Sequence, residues 1–193
     1  IAHDLHVSIP MAGHLISVYA LGVCLGSFSL IVMHKYRPKN ILLFLSSIIA
    51  LGTVIASFAP SYPTLLLARL IQGLPHGAYF GVGCIVAVKL AKEGKGASAV
   101  SLMCAGMTVA NLLGVPFGTF LSHQFSWRAP FYVSILLAIA TIAAIYRWVP
   151  NVEALPNNGM KAQFKFLKHL DPWLILAATM MGNGGVLCFF SYI

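Results

Sequence analysis

The chain has 193 residues, 59% of them hydrophobic and only 8% charged, with a formal net charge of +8 and a mean hydropathy of +0.87. An ordinary soluble domain carries roughly 25% charged residues, so that class is excluded. The surplus cations would suit nucleic acid if they formed a block, but they are dispersed between apolar runs, which argues against that partner.

A helix needs about 20 apolar residues to cross a hydrocarbon layer of about 30 Å. Six segments supply that length: near Ala12 to Met33, Ile41 to Phe58, Thr64 to Val88, Ser98 to Leu121, Ala129 to Trp148 and Pro172 to Ile193. Their residues lack the two-residue alternation of barrel strands, and backbone in lipid must satisfy its own hydrogen bonds. The expected fold is therefore an all-α membrane protein.

Taken in chain order, the residues before Ala12 carry no Lys or Arg, and the first span contributes Gly22 and Gly26. The connection HKYRPKN then brings Lys35, Arg37 and Lys39. The next one, APSYP, is uncharged and separates the second and third spans with two prolines, which continue helices poorly. Lys89, Lys92 and Lys95 follow the third span, SHQFSW follows the fourth, and Arg147, Lys161, Lys165 and Lys168 flank or occupy the last connection. Basic connections face the cytoplasm by the positive-inside rule, which puts residues 1–11 outside. Ten of the twelve cations fit that one side; Arg69 and Arg128 do not.

Arg69 stands inside the third span, in ARLIQGLPHGAYFGVG. At about 100° per residue, Gln72 and His76 fall within about 60° of it, with Gly73, Gly77 and Gly81 on a neighbouring face. A cation in hydrocarbon costs at least about 2.5 kcal/mol, so it either snorkels to the nearby outer interface or faces a water-filled cavity or a partner. The company of Gln72 and His76 favours the cavity. Pro75 frees a backbone carbonyl one turn earlier and should bend this helix. His76 suits either proton exchange or a buried neutral role, and Tyr19 and Tyr79 either a cavity or plain packing.

The fourth span repeats small residues every four positions, at Gly106, Ala110, Gly114, Gly118 and Ser122, with Pro116 beside them. Such rows let helices approach closely in lipid, either for static packing or for surfaces that rock past each other. Asn111, mid-span on the same helix, is a candidate for an interhelical hydrogen bond or for the cavity wall.

The connection from Pro150 to Asp171 divides the chain. Its second half, MKAQFKFLKHL, reads as a surface helix with lysines toward anionic headgroups or, equally, as a tether. The chain starts with Ile and ends in FFSYI, and a fragment of a longer protein is expected. Cys24, Cys84, Cys104 and Cys188 lie in spans without a CxxC pair, so small core residues rather than a metal or disulfide set are expected. No HExxH, GxSxG or P-loop is present, and the four acids Asp4, Glu93, Glu153 and Asp171 lie outside the spans. An enzyme, a metal and a cofactor are all unexpected.

RLIQGLPHGA (Arg69 to Ala78), AGMTVANLLGVPFGTFLS and SWRAPFYV together resemble the major facilitator superfamily, in particular its drug/proton antiporter and arabinose-efflux-permease-like branch. The first is similar to that family's fourth-helix motif R-x-x-Q-G-x-x-x-G/A, the second to its fifth-helix G-x-P-x-G motif. The third, with Trp127 and Arg128, is similar to the entry into its sixth helix. The resemblance implies helices two to seven of twelve. Residues 1–149 would then be the N-terminal half bundle without its first helix, 150–171 the cytoplasmic loop between halves, and 172–193 the first helix of the C-terminal half.

It further implies that Arg69 lines a central cavity, with Gln72, His76 and Asn111 as lesser candidates. Gly73, Gly77, Gly81, Gly106, Gly114, Pro116 and Gly118 would serve packing between moving parts. The loop after the family's second helix, G-x-L-x-D-R-x-G-R-R, aligns with LIVMHKYRPK. Here His34 replaces the aspartate, while Lys35, Arg37 and Lys39 supply the positive charge of the gating loop. The resulting expectation is a monomeric inner-membrane secondary transporter that exports a small organic molecule against protons by alternating access. Uncoupled sugar or metabolite exchange, and a non-transporting membrane interaction subunit, stand as alternatives.

Overall fold

A computed structural model describes residues 4, 5, 7–33, 35–153 and 169–192. The elements are all helical: α1 (Ile9–Ser27), α2 (Ser29–Met33), α3 (Pro38–Ser57), α4 (Tyr62–Leu90), α5 (Gly96–Gln124), α6 (Ala129–Trp148) and α7 (Asp171–Tyr192). Among the described residues, five helices are long and apolar enough to cross a membrane, namely α1, α3, α4, α5 and α6.

The chain divides into two compact units, Ile1–Leu155 and Pro156–Ile193. In the second, α7 starts at Asp171, whose carboxylate favours the positive N-terminal end of the helix dipole. Its Trp173, Leu174, Ile175, Met180 and Met181 are exposed, as suits lipid-facing surface.

In the first unit, helix starts are written into the sequence by proline, whose missing N–H costs nothing in the first turn. α1, α3, α4 and α6 all carry one there. The APSYP prolines thus divide their work: Pro60 lies in the turn, while Pro63 begins α4. At α1 the Ser8 hydroxyl also accepts from the Met11 N–H at 3.4 Å.

The first span differs from its expected continuous course to Met33. It breaks at Phe28, separating α1 from the single turn of α2. The cause is local: Gly26 and Ser27 adjoin, and the Ser27 hydroxyl donates to the Val23 carbonyl at 2.8 Å, a pairing that bends helices. Pro75 and Pro116, by contrast, sit inside helices that run on through them.

α4 is the hub, packing on α1, α3 and α5, while α6 packs on α3 and α5. Two apolar layers hold the bundle. Ile41, Leu42 and Leu45 of α3 meet Ala78, Val82 and Val86 of α4 and Ile145 of α6. Nearer the other end, Leu15, Ala56, Ala59, Leu65, Ala68 and Trp127 form the second layer. Each layer coincides with one set of connections. At the first end Lys39 donates to the Tyr146 carbonyl at 2.9 Å and Lys89 to the Glu153 carbonyl at 3.0 Å. At the second, Trp127 donates to Asp4 at 2.9 Å, Arg128 to the Ala59 carbonyl at 3.0 Å, and Tyr62 to the Met11 carbonyl at 2.6 Å.

α1 and α4 touch through their glycines. A Cβ on Gly22 would strike the Leu70 carbonyl, one on Gly26 the Leu74 backbone, and one on Gly73 the Tyr19 carbonyl. Gly77 faces the Ser27 hydroxyl, and Gly81 meets only the tip of Leu30 at 3.2 Å. The α5 row differs: Gly106, Gly114 and Gly118 have nothing within 4 Å among the described residues, and no residue of α5 is buried.

Candidate functional site: a polar cavity between two apolar layers

Between the apolar layers lies a cavity of about 280 Å³. The sequence creates it by interrupting both layer-forming helices at one level. On α3, Thr53 falls between Leu45 and Ala56; on α4, Arg69, Gln72 and His76 fall between Ala68 and Ala78. α1 adds Tyr19, and α6 adds Phe131 and Ser134.

The polar groups form a directed chain. Arg69 donates from Nη1 to Gln72 Oε1 at 3.3 Å, Gln72 Nε2 donates to Thr53 Oγ1 at 3.1 Å, and Thr53 donates to the Ile49 carbonyl at 2.7 Å. Each amide atom of Gln72 is thereby used in its proper sense, the oxygen accepting and the nitrogen donating. Gln72 is buried, so this chain stands where an unmade bond would be costly. Gly52 makes room for it: a Cβ there would come within 2.8 Å of Gln72 Cγ.

The Arg69 guanidinium bonds Gln72 and lies 5.7 Å from the Phe131 ring centre and 6.0 Å from that of Tyr19. Aromatic faces stabilise a cation electrostatically where water is scarce. Its Nε is buried and makes no hydrogen bond. Beside it, the Tyr19 hydroxyl and His76 Nδ1 are 2.9 Å apart, with Phe80 tilted over the imidazole at 5.4 Å. When the imidazole proton is on Nε2, Tyr19 donates to Nδ1. The cavity thus offers a fixed positive charge, hydroxyl and amide groups and aromatic walls, with no carboxylate among its lining residues.

Arg69, Gln72 and His76 are therefore together. Asn111 is not with them, being exposed on α5. Lys35, Arg37 and Lys39 stand at the α3 entry, whereas His34 lies outside the described residues, as does most of MKAQFKFLKHL. Cys24, expected in a core, is exposed, while Cys84 and Cys104 are partly covered; a helix face turned to lipid accepts a small apolar thiol. The side chain of Cys188 lies outside the described residues. Among the described residues no cluster suited to a metal ion occurs.

Thr53, Ser134 and Phe131 were not legible as site residues. A lone Thr 19 positions before Gln72 carries no local periodic signal; only the small Gly52 beside it hinted at close approach. Substituting Thr53→Val should strand the Gln72 amide and lower stability by about 1–3 kcal/mol. Thermal unfolding in detergent measures this; an unchanged midpoint would mean the bond contributes nothing.

The sequence profile described as Major Facilitator Superfamily matches residues 1–193. The chain is 47% identical over 194 residues to "Putative transporter AraJ" of Escherichia coli (strain K12), covering all of this chain and 49% of that protein. It is 36% identical to "Inner membrane transport protein YdhP" of the same strain, with 50% of that protein covered. It is 35% identical to "Uncharacterized MFS-type transporter YtbD" of Bacillus subtilis (strain 168), with 49% covered. The chain thus spans about half the length of the curated relatives it matches. A match along its whole length, on a bundle of membrane-length helices, assigns this chain to the major facilitator superfamily.

Proposed function

We propose that the chain is part of a secondary transporter of the inner membrane that exports a small organic molecule in exchange for protons, by alternating access. The observation that carries the reading is Arg69, a cation on a membrane-length helix that lines a polar cavity rather than the outer surface. A charge costs several kcal/mol in hydrocarbon and is retained at a site that uses it. The name of YdhP supports the membrane, and the names of AraJ and YdhP support transport. The basic end, with Lys35, Arg37, Lys39, Lys89, Lys92, Lys95 and Arg147, is the cytoplasmic one in this reading.

The cavity presents donors and aromatic walls that fit a molecule with oxygen acceptors and an apolar body. The close α1–α4 contact through glycines supports a rigid pair that rocks as one piece, with Gly106, Gly114, Pro116 and Gly118 on the open α5 face available to parts of the protein outside this chain. Such a protein works as a monomer without cofactor or catalytic group. The cavity has no carboxylate among its lining residues, which keeps uncoupled exchange as a second reading.

The test uses proteoliposomes of the full-length protein loaded in turn with a pentose and with a lipophilic aromatic dye. Export of at least one, driven by an imposed pH gradient and abolished by a protonophore, is the expected result. Movement indifferent to the protonophore would make the protein an uncoupled exchanger. No movement of either solute by a folded protein would favour a non-transporting membrane subunit.

A further inference from the structure

The basic end of the bundle holds a cluster that the cavity does not use. The stretch that leads into α3 carries Lys35, Arg37 and Lys39 with Tyr36, the last residues of α6 are Tyr146, Arg147 and Trp148, and no Asp or Glu lies in either stretch. The two helix ends are tied by Lys39, which donates to the Tyr146 carbonyl at 2.9 Å and lies 5.5 Å from the Tyr146 ring centre. Lys35 lies 5.3 Å from the centre of the Tyr36 ring. Tyr36, Tyr146 and Trp148 are 53%, 72% and 77% exposed, so the rings are platforms at the surface rather than core.

Four like charges at one corner repel one another unless an anion joins them. The surface running away from that corner is apolar: Phe44 and Leu51 on α3, and Leu136, Leu137 and Ile139 on α6, are all exposed. A partner that fits must therefore carry an anionic head, next to exposed Tyr and Trp, and long apolar tails along the helices. The second basic connection lacks this arrangement. There Glu93 stands between Lys92 and Lys95, and no Tyr or Trp lies in the stretch KLAKEGK.

We infer that the α3–α6 corner is a binding site for one anionic diacyl phospholipid of the adjoining leaflet, its phosphodiester held by Lys39 and Arg147 with Lys35 and Arg37 around it. Basic residues between helix ends at the membrane surface recognise anionic headgroups, and Tyr and Trp settle at the same depth. Because the site joins the start of α3 to the end of α6, a bound lipid would also brace those two helix ends against each other.

The test incubates the purified full-length protein with equal amounts of phosphatidylglycerol and phosphatidylcholine of matched acyl chains and counts retained lipids by native mass spectrometry. Wild type should retain phosphatidylglycerol preferentially, and K39Q/R147Q should lose that preference by roughly tenfold or more. K92Q/K95Q, which removes the same charge from the other connection, should keep it. Equal retention of the two lipids by wild type would overturn the site, as would equal losses in the two double variants, which would mean diffuse attraction only. R147Q alone, at an exposed position that leaves the Lys39 tie intact, serves if K39Q/R147Q does not fold; it should lose part of the preference, and full retention would count against the site.

Discussion

Replacing Arg69 with Ala in the full-length protein should reduce transport by roughly 10- to 100-fold while leaving the protein folded. The size follows from removing a charge-assisted hydrogen bond of about 1.5–3 kcal/mol, at about 1.4 kcal/mol per tenfold. The direction follows from geometry. The guanidinium anchors the chain that runs through Gln72 and Thr53 and supplies the positive charge of the cavity. Arg69→Lys should rescue only in part, since an ammonium lacks the planar fork that bonds Gln72 while facing the Tyr19 and Phe131 rings. Initial rates in proteoliposomes, normalised to folded protein, give the comparison. A wild-type rate in Arg69→Ala would remove this residue from the mechanism.

Gly26→Ala should have the largest effect on stability. The new methyl group would occupy the space of the Leu74 backbone carbonyl and Cα, and neither can move without parting α1 from α4. Overpacking of this kind costs about 1–3 kcal/mol and more where backbone is the obstacle. A loss of 3 kcal/mol corresponds to a fall of about 6–12 °C in unfolding midpoint for a chain of this size. Gly13→Ala, on the same helix with nothing within 4 Å, is the control and should be neutral. Similar midpoints for the two variants would mean that the α1–α4 contact is loose.

The helices were legible because membrane length and apolarity leave few alternatives. The expected span from Ala129 to Trp148 coincides with α6, while α3, α4 and α5 start a little before their expected beginnings, at the polar or small residues Pro38, Tyr62 and Gly96. Those residues are too hydrophilic to count toward a span yet continue a helix without difficulty. The break at Phe28 was hidden because both sides of it are equally apolar.

For the site, one helix sufficed to group Arg69, Gln72 and His76, since 3.6-residue periodicity brings them to one side. Tyr19, Thr53 and Ser134 come from other helices, and which face each turns inward depends on packing that no local pattern encodes. Asn111 illustrates the converse: a polar residue amid small ones on α5, it is exposed and outside the lining of this cavity, and its local pattern does not encode which surface it meets.

The central claim is that Arg69 borders an aqueous route through the bundle. The most direct test places single cysteines at Ser134, on the cavity wall, and at Leu137, exposed on the same helix, in a full-length protein whose native cysteines are replaced by serine. Each is then exposed to a charged, membrane-impermeant thiol reagent in intact vesicles. The account predicts rapid labelling of Ser134→Cys, slowed by Arg69→Ala through loss of the ordered polar wall, and no labelling of Leu137→Cys within the bilayer. An inert Ser134→Cys, as unreactive as Leu137→Cys in vesicles of either orientation, would contradict it.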